Sequence, residues 1–458
     1  MKLSVKRIAS MATACTLGAT LLAGCGGSPA SSTASGTADS TSSSTASSEG
    51  TADTASTEDL AGTEITFLNS KGEIQEPLED MAATFIDATG IKVEVLACGA
   101  GEVPYTKITS MYNSGTAPTM AMLDANDVIS LASEKAVDLS NEKWTAECAD
   151  TAMKIDGKVY SFPFCVEGRG IIYNKATIEK TLGTEFDPST INSYDSLKAL
   201  MESLRTAGME NPIVISKEDW SLGGHMLGYI YDTYDGTNEG VTEVTGKLAS
   251  GELKAEDYER FNQFTDTVQL LMEYNYNKAD PLGAMYEQDP MYVADGDAAM
   301  WFNGCWAWPN LDEAGANADD GYGFIPFTLG NEQDFNNTGI QAAASKQVMI
   351  DREQASEQQI AAAEAFLNWM VYDEQGQKML VEDCALIPAC SNNTVESVDP
   401  LGANIREYMA AGKTFSSSTI LPSDHWSVMG AAMQKFIAGQ STPAELAQSL
   451  DEYWAKQA

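Results

Sequence analysis

Only two histidines, His225 and His425, stand in the 458 residues, and neither sits in a His-x-x-x-His or Cys-x-x-Cys setting. Zinc-hydrolase and zinc-ribbon chemistry is thereby excluded. The body has no Gly-x-Ser-x-Gly turn to present an activated serine and no Gly-x-x-x-x-Gly-Lys-Ser/Thr loop to cradle a phosphate. Ser140-Asn141-Glu142-Lys143 fits a Ser-x-x-Lys nucleophile pattern, but the Lys-Thr-Gly partner is missing because Phe415 follows Lys413-Thr414. With 66 Asp and Glu, a carboxylate pair for glycoside hydrolysis stays open. Asp232-Thr233-Tyr234-Asp235-Gly236 misses the calcium-loop spacing and reads as a surface turn. What the chain does offer a ligand is eight tryptophans, several set beside polar residues. A tryptophan face covers an apolar surface while neighbouring polar groups take hydrogen bonds.

These side chains belong to a large, acidic body. Lys and Arg total 27 against the 66 acids, a net charge of −39. Such a surface is a poor partner for nucleic acid and is repelled by anionic lipid. A length of 458 residues allows two or three domains, and 43% hydrophobic residues suits a globular body.

The N-terminus reads as an export signal. Lys2, Lys6 and Arg7 precede an apolar stretch from Ile8 to Ala23, which is short for a membrane span. Leu22-Ala23-Gly24-Cys25 resembles the lipobox of bacterial lipoproteins. That resemblance implies a signal peptide over 1–25, Cys25 as the acylated residue, and anchoring on the extracellular face of the cell membrane by lipid alone. Residues 26–59 are nearly all Ser, Thr, Ala and Gly, without an aromatic or branched aliphatic residue. They cannot bury enough apolar area to offset ordering, so a disordered tether is expected.

The body opens with strand, helix and strand: Ile65–Leu68, then apolar residues at helix spacing over Leu78–Thr89, Gly90 as terminator, and the alternating Ile91–Val95. An α/β sheet with crossover helices follows. A helix is expected over Tyr105–Asn113. Asp156-Gly157 reads as a hairpin turn, Phe162-Pro163-Phe164 as extended, and Ile171-Ile172-Tyr173 as a buried strand. Further helices are expected over Ser196–Ala207, Tyr258–Tyr274, Glu357–Tyr372 and Met429–Ala438. Of the body's cysteines (Cys98, Cys148, Cys165, Cys305, Cys384 and Cys390), Cys384 and Cys390 are near enough in sequence to pair, but the wide spacing favours free buried thiols.

Five blocks, in order, carry a family resemblance: Phe85–Val93; Ser114–Pro118, where Thr119 replaces an expected aspartate; Asp156–Pro163 with Ile171–Lys175; Gly296–Met300 with Asn303–Trp306; and Ala365–Leu367 through Asp373–Gly376. By these the chain resembles the family 1, maltose-binding-protein-like extracellular solute-binding proteins of bacterial ABC sugar importers. The resemblance implies a two-lobed periplasmic-binding-protein fold of type II, with the ligand cleft between α/β lobes joined by hinge segments. Crossings are expected near Phe162–Val166, Thr338–Gln341 and Ser391–Pro400. The N-terminal lobe would be 60–163 plus 341–395, and the C-terminal lobe 166–338 plus 400–458. Also implied are a monomer that binds a mono- or oligosaccharide by lobe closure, delivers it to ABC permease subunits, catalyses nothing, and needs no cofactor or metal.

Within that frame Trp306 is expected to stack on sugar, joined by Trp426 in a loop before the Met429 helix and by Trp220 in a loop after a strand at 212–215. Glu167 is expected to take two sugar hydroxyls on its carboxylate; its structural alternative is a salt bridge to Arg169. Lys71, Asp124, Asn126 and Asn303 complete the expected ligand set, with Asp127, Arg169 and His425 as weaker candidates. Trp301, Trp308, Trp369 and Trp454 are expected to pack in the core. A polyamine ligand in the same fold, suited to the acidic charge, and an exported glycoside hydrolase are the alternatives.

Overall fold

The computed structural model describes residues 57–99, 102–149, 151–415 and 420–458. The signal segment, Cys25 and the tether up to residue 56 lie outside the described residues. Among the described residues twelve strands are present: β1 (Glu64–Asn69), β2 (Lys92–Ala97), β3 (Met120–Asp124), β4 (Lys154–Ile155), β5 (Lys158–Val159), β6 (Phe162–Asn174), β7 (Ile213–Val214), β8 (Met300–Gly304), β9 (Tyr322–Ile325), β10 (Ile340–Ile350), β11 (Ile387–Pro388) and β12 (Thr414–Phe415).

The expected opening forms. The helix Gln75–Thr89 buries Leu78, Met81, Ala82 and Phe85, and Gly90 ends it at φ 74°, a left-handed conformation that glycine adopts without a Cβ clash. The chain then returns as β2, parallel to β1 with Ile65 opposite Val93. The main sheet runs β2-β1-β3-β10-β6-β8-β7, with β9 and β11 also on β6 and β12 on β10. β10 is antiparallel to both β3 and β6, and β6 is antiparallel to β8. β4 and β5 make the expected separate hairpin, with Asp156 at φ 50° and Gly157 at φ 79° in its turn.

Two large apolar cores lie along this sheet. One gathers Phe67, Phe85, Phe164 and Phe366; the other gathers Tyr229, Phe261, Phe264, Phe302 and Phe327. β6 serves both, giving Phe164 to the first and Ile171 to the second. One continuous strand, Phe162–Asn174, thereby ties the two cores together. Close approach is visible at Gly168, where a Cβ would lie 2.4 Å from Ile405 Cδ1.

Several expectations are corrected. The helix expected over Met429–Ala438 begins earlier: His425–Ile437 includes Trp426 in its first turn, so that tryptophan is helical and not in a loop. Trp220 is likewise not in a loop, but opens a π-helical segment, Trp220–Met226. Asp232 and Thr233 are fully buried, not a surface turn, because they close a short helix, Tyr229–Asp232, packed in the second core. Cys390 bonds to Cys148, leaving Cys384 buried and free. The bridge forms because the fold brings together residues 242 apart, which spacing cannot reveal. Among the described cysteines, Cys98, Cys165, Cys305 and Cys384 are free.

Candidate functional site

The polar part of the site is built at the end of β1. Asn69 brackets the turn, its Oδ1 accepting from Lys71 N at 2.8 Å and its Nδ2 donating to Lys71 O at 2.8 Å. So held, Lys71 is buried, with its ammonium 2.7 Å from Glu73 and against the Glu167 carboxylate of β6. Ser345 Oγ donates to the other Glu167 oxygen, and Lys346 Nζ lies 2.7 Å from Asp124 Oδ1. Burial opposes ionisation of Glu167, but Lys71 and Lys346 outweigh it and hold the carboxyl down to about 2. Burial also works against the charged Lys71, yet Glu167 and Glu73 raise its pKa well above the ordinary lysine value. Glu167 therefore does not bridge to Arg169. Arg169 reaches Asp232 instead, at 3.5 Å, and Asp232 also takes the Gln341 amide.

Next to this cluster, Asp127 is buried on the helix Ala125–Lys135 with Oδ1 unpartnered. Burial raises its pKa to about 8, with Asp124 adding to the shift and Lys346 opposing it.

An aromatic wall forms the other part. Trp220 is capped by its neighbour, donating its backbone N–H to Asp219 Oδ1 at 2.9 Å. Its ring centroid lies 5.3 Å from His225, 5.4 Å from Tyr286 and 6.5 Å from Trp306. His225 is 4.9 Å from Trp306. These edge-to-face and tilted contacts suit aromatic quadrupoles. Trp306 follows β8 by two residues and folds back over Gly304, where a Cβ would lie 2.0 Å from the ring. Asn303 faces the wall too, donating from Nδ2 to Tyr286 OH at 3.2 Å. The π-helical segment docks on the helix His425–Ile437 through its glycines: a Cβ on Gly223 would lie 2.3 Å from Gly430 N. The two parts meet at His225. Burial and Arg169 push its pKa well below the ordinary histidine value, and Glu167, Lys346 and Lys71 act on it as well.

The fold thus gathers Trp220, Trp306, Glu167, Lys71 and Asn303, with Asp124 tied in through Lys346. Trp426 is half-buried behind the π-helical segment, its Cβ 3.2 Å from the place of a Gly224 Cβ. Asn126 is half-buried on its helix, between Asp124 and Asp127. His425 lies in the core, 2.8 Å from Tyr231 OH through Nε2, away from the wall. Trp301, Trp308 and Trp454 are buried, and Trp369 packs beside Phe366 and Phe85. His225 and Tyr286 were missed. No motif marks them in sequence, although the single histidine five residues after Trp220 was a usable signal.

A cavity of about 670 Å³ lies elsewhere, between the helices Ala125–Lys135 and Asn238–Ser250, over Ala342–Ala344 of β10. Val166 lines it.

Comparison with known proteins sets this arrangement in a family. The family model described as bacterial extracellular solute-binding protein matches residues 80–399. Among solved structures, the solute-binding protein RafE in complex with raffinose is 19% identical, with TM-score 0.71, covering 86% of this chain and 99% of that one. A chitin oligosaccharide binding protein is 19% identical, with TM-score 0.67, covering 86% and 98%. A Bacillus licheniformis sugar transporter in complex with stachyose is 17% identical, with TM-score 0.67, covering 86% and 100%. With the family model spanning most of the chain, and the two-lobed fold shared, the protein belongs to the bacterial extracellular solute-binding proteins.

Proposed function

We propose that the protein is a lipid-anchored receptor that binds a neutral oligosaccharide between its lobes and hands it to the permease subunits of an ABC importer. The observation that carries this reading is the Trp220–Trp306 wall together with the Lys71–Glu167–Ser345 cluster, whose charges act on His225 of that wall. Tryptophan faces cover the C–H face of a sugar ring, and charged groups already held by partners direct hydrogen bonds to its hydroxyls. In this reading Trp220, Trp306 and Trp426 supply the apolar contacts. Lys71, Glu167, Asp124, Asn126 and Asn303 supply the polar ones. The lobes divide at 60–163 plus 341–395 and 166–338 plus 400–458. Binding shifts an open–closed equilibrium, which requires tighter binding to the closed form. No bond in the solute changes.

Structural neighbours solved in complex with raffinose and stachyose support the sugar class. A polyamine is less well matched. The carboxylates of the cluster, Glu73, Glu167, Asp124 and Asp232, are already paired with Lys71, Lys346 and Arg169, and the net acidity of the chain is mostly solvated surface. Isothermal titration calorimetry of the body from Leu60 onward against raffinose, stachyose and chitin oligosaccharides, with polyamines alongside, tests the reading. Micromolar or tighter binding of one sugar without release of reducing ends is expected. Heat from a polyamine alone, or hydrolysis of the sugar, overturns it.

A further inference from the structure

We infer that His225 is a further ligand-binding residue, one that takes a sugar hydroxyl on its ring nitrogens and so selects for hydroxyl placement. The inference rests on the proposed sugar reading. His225 is wedged between two tryptophans, 4.9 Å from Trp306 and 5.3 Å from Trp220, both half-buried residues of the same wall. Its own side chain is only half-buried. Neither ring nitrogen has a hydrogen-bond partner among the described residues, and neither is among the fully buried, unpartnered polar atoms. Both therefore retain access to the site.

The contrast with the second histidine is instructive. His425 Nε2 is joined to Tyr231 OH, which itself accepts from Trp454 Nε1 at 3.0 Å. That side of the His425 ring has its partner in the core, while His425 Nδ1 is buried without one. The wall gives His225 no such partner. An imidazole fixed by two aromatic rings and left with free nitrogens is poorly explained as packing, because a phenyl ring would fill the same space without a polar edge to desolvate.

Burial above all, with Arg169 after it, disfavours the imidazolium against the opposing pull of Glu167. A neutral imidazole has one donor and one acceptor nitrogen. A hydroxyl also does both, so each ring nitrogen meets a complementary atom on a carbohydrate. A ligand with only donors, such as a protonated amine, could satisfy one nitrogen alone.

The chain has only two histidines, so long-range proton–nitrogen spectra of the 15N-labelled protein resolve each ring. Raffinose, stachyose and chitin oligosaccharides are the probes, with binding followed in parallel by calorimetry. On saturation, the His225 nitrogens should shift while those of His425 stay in place. His225→Phe should weaken binding at least tenfold, and His225→Gln, which restores a donor and an acceptor, should recover part of the loss. Saturable binding with unmoved His225 resonances overturns the inference and leaves the sugar reading intact, whether or not the phenylalanine variant folds. Absence of any sugar binding by the wild-type protein overturns the sugar reading, and the hydroxyl assignment with it.

Discussion

The Lys71 ammonium lies against the Glu167 carboxylate and joins the end of β1 to the middle of β6. The two residues are 96 apart in sequence. Both are largely removed from water, with side chains 2% and 9% exposed. The pair thereby presents a fixed dipole beside the aromatic wall.

Removing one partner strands the other. Glu167→Gln should lower stability by about 3 kcal/mol, the lower end of the range for breaking a buried pair, because Glu73 still contacts Lys71. The pH dependence has a definite sign. The folded-state pKa of Glu167 is about 2, below the ordinary 4.5, so its contribution is present above pH 4.5 and is lost as pH falls toward 2. Thermal melts of wild type and Glu167→Gln should converge over that window. Curves that stay parallel would show that Glu167 is not the titrating group.

Trp306 and Trp426 should not be equivalent. Trp306→Ala should weaken sugar binding by more than tenfold, with the far-ultraviolet circular dichroism unchanged. Trp426→Ala should cost less, because that side chain lies behind the Gly223–Gly224 turn. Calorimetric titration of both variants decides the order, and unchanged affinity in Trp306→Ala would move that residue into the packing class.

Asp127 should behave in the opposite sense to Glu167. Its pKa is raised from 3.8 to about 8, so the folded state holds a proton that the unfolded state gives up, and stability declines as pH rises across that interval. Asp127→Asn removes the titration at nearly constant shape. It should be more stable than wild type at pH 9 by about 1–3 kcal/mol, the cost of an unsatisfied buried group, and similar at pH 4. Denaturant melts at the two pH values test this.

The Cys148–Cys390 bridge closes a loop of 242 residues. Its removal by Cys148→Ser should lower stability by about 2–5 kcal/mol. Thiol titration of the unfolded, unreduced body should find Cys98, Cys165, Cys305 and Cys384 reactive. Reaction at Cys148 or Cys390 under those conditions would contradict the pairing.

Much of this protein was legible from local pattern. The β-α-β opening followed from helix spacing ended by Gly90. The Asp156-Gly157 turn followed from turn chemistry, and the buried Ile171–Tyr173 strand from a run of apolar residues. Such features depend on neighbours a few residues away, so composition and spacing determine them. The partners of the site residues were not legible in the same way. Lys71 meets Glu167 and Lys346 meets Asp124 because the sheet order β1-β3-β10-β6 lays distant segments side by side, while Arg169 meets Asp232 of the Tyr229–Asp232 helix and Cys148 meets Cys390 through packing of segments outside those strands. The same holds for His225, which sequence marks only by its nearness to Trp220 and which a π-helical turn and the end of β8 bring against two tryptophans. The sequence by itself determined the local elements, the family and the acidic character of the chain. Only the tertiary structure decided which charges neutralise one another and which aromatic rings share a wall, because those energies depend on distance and burial, and neither is encoded in the separation of residues along the chain.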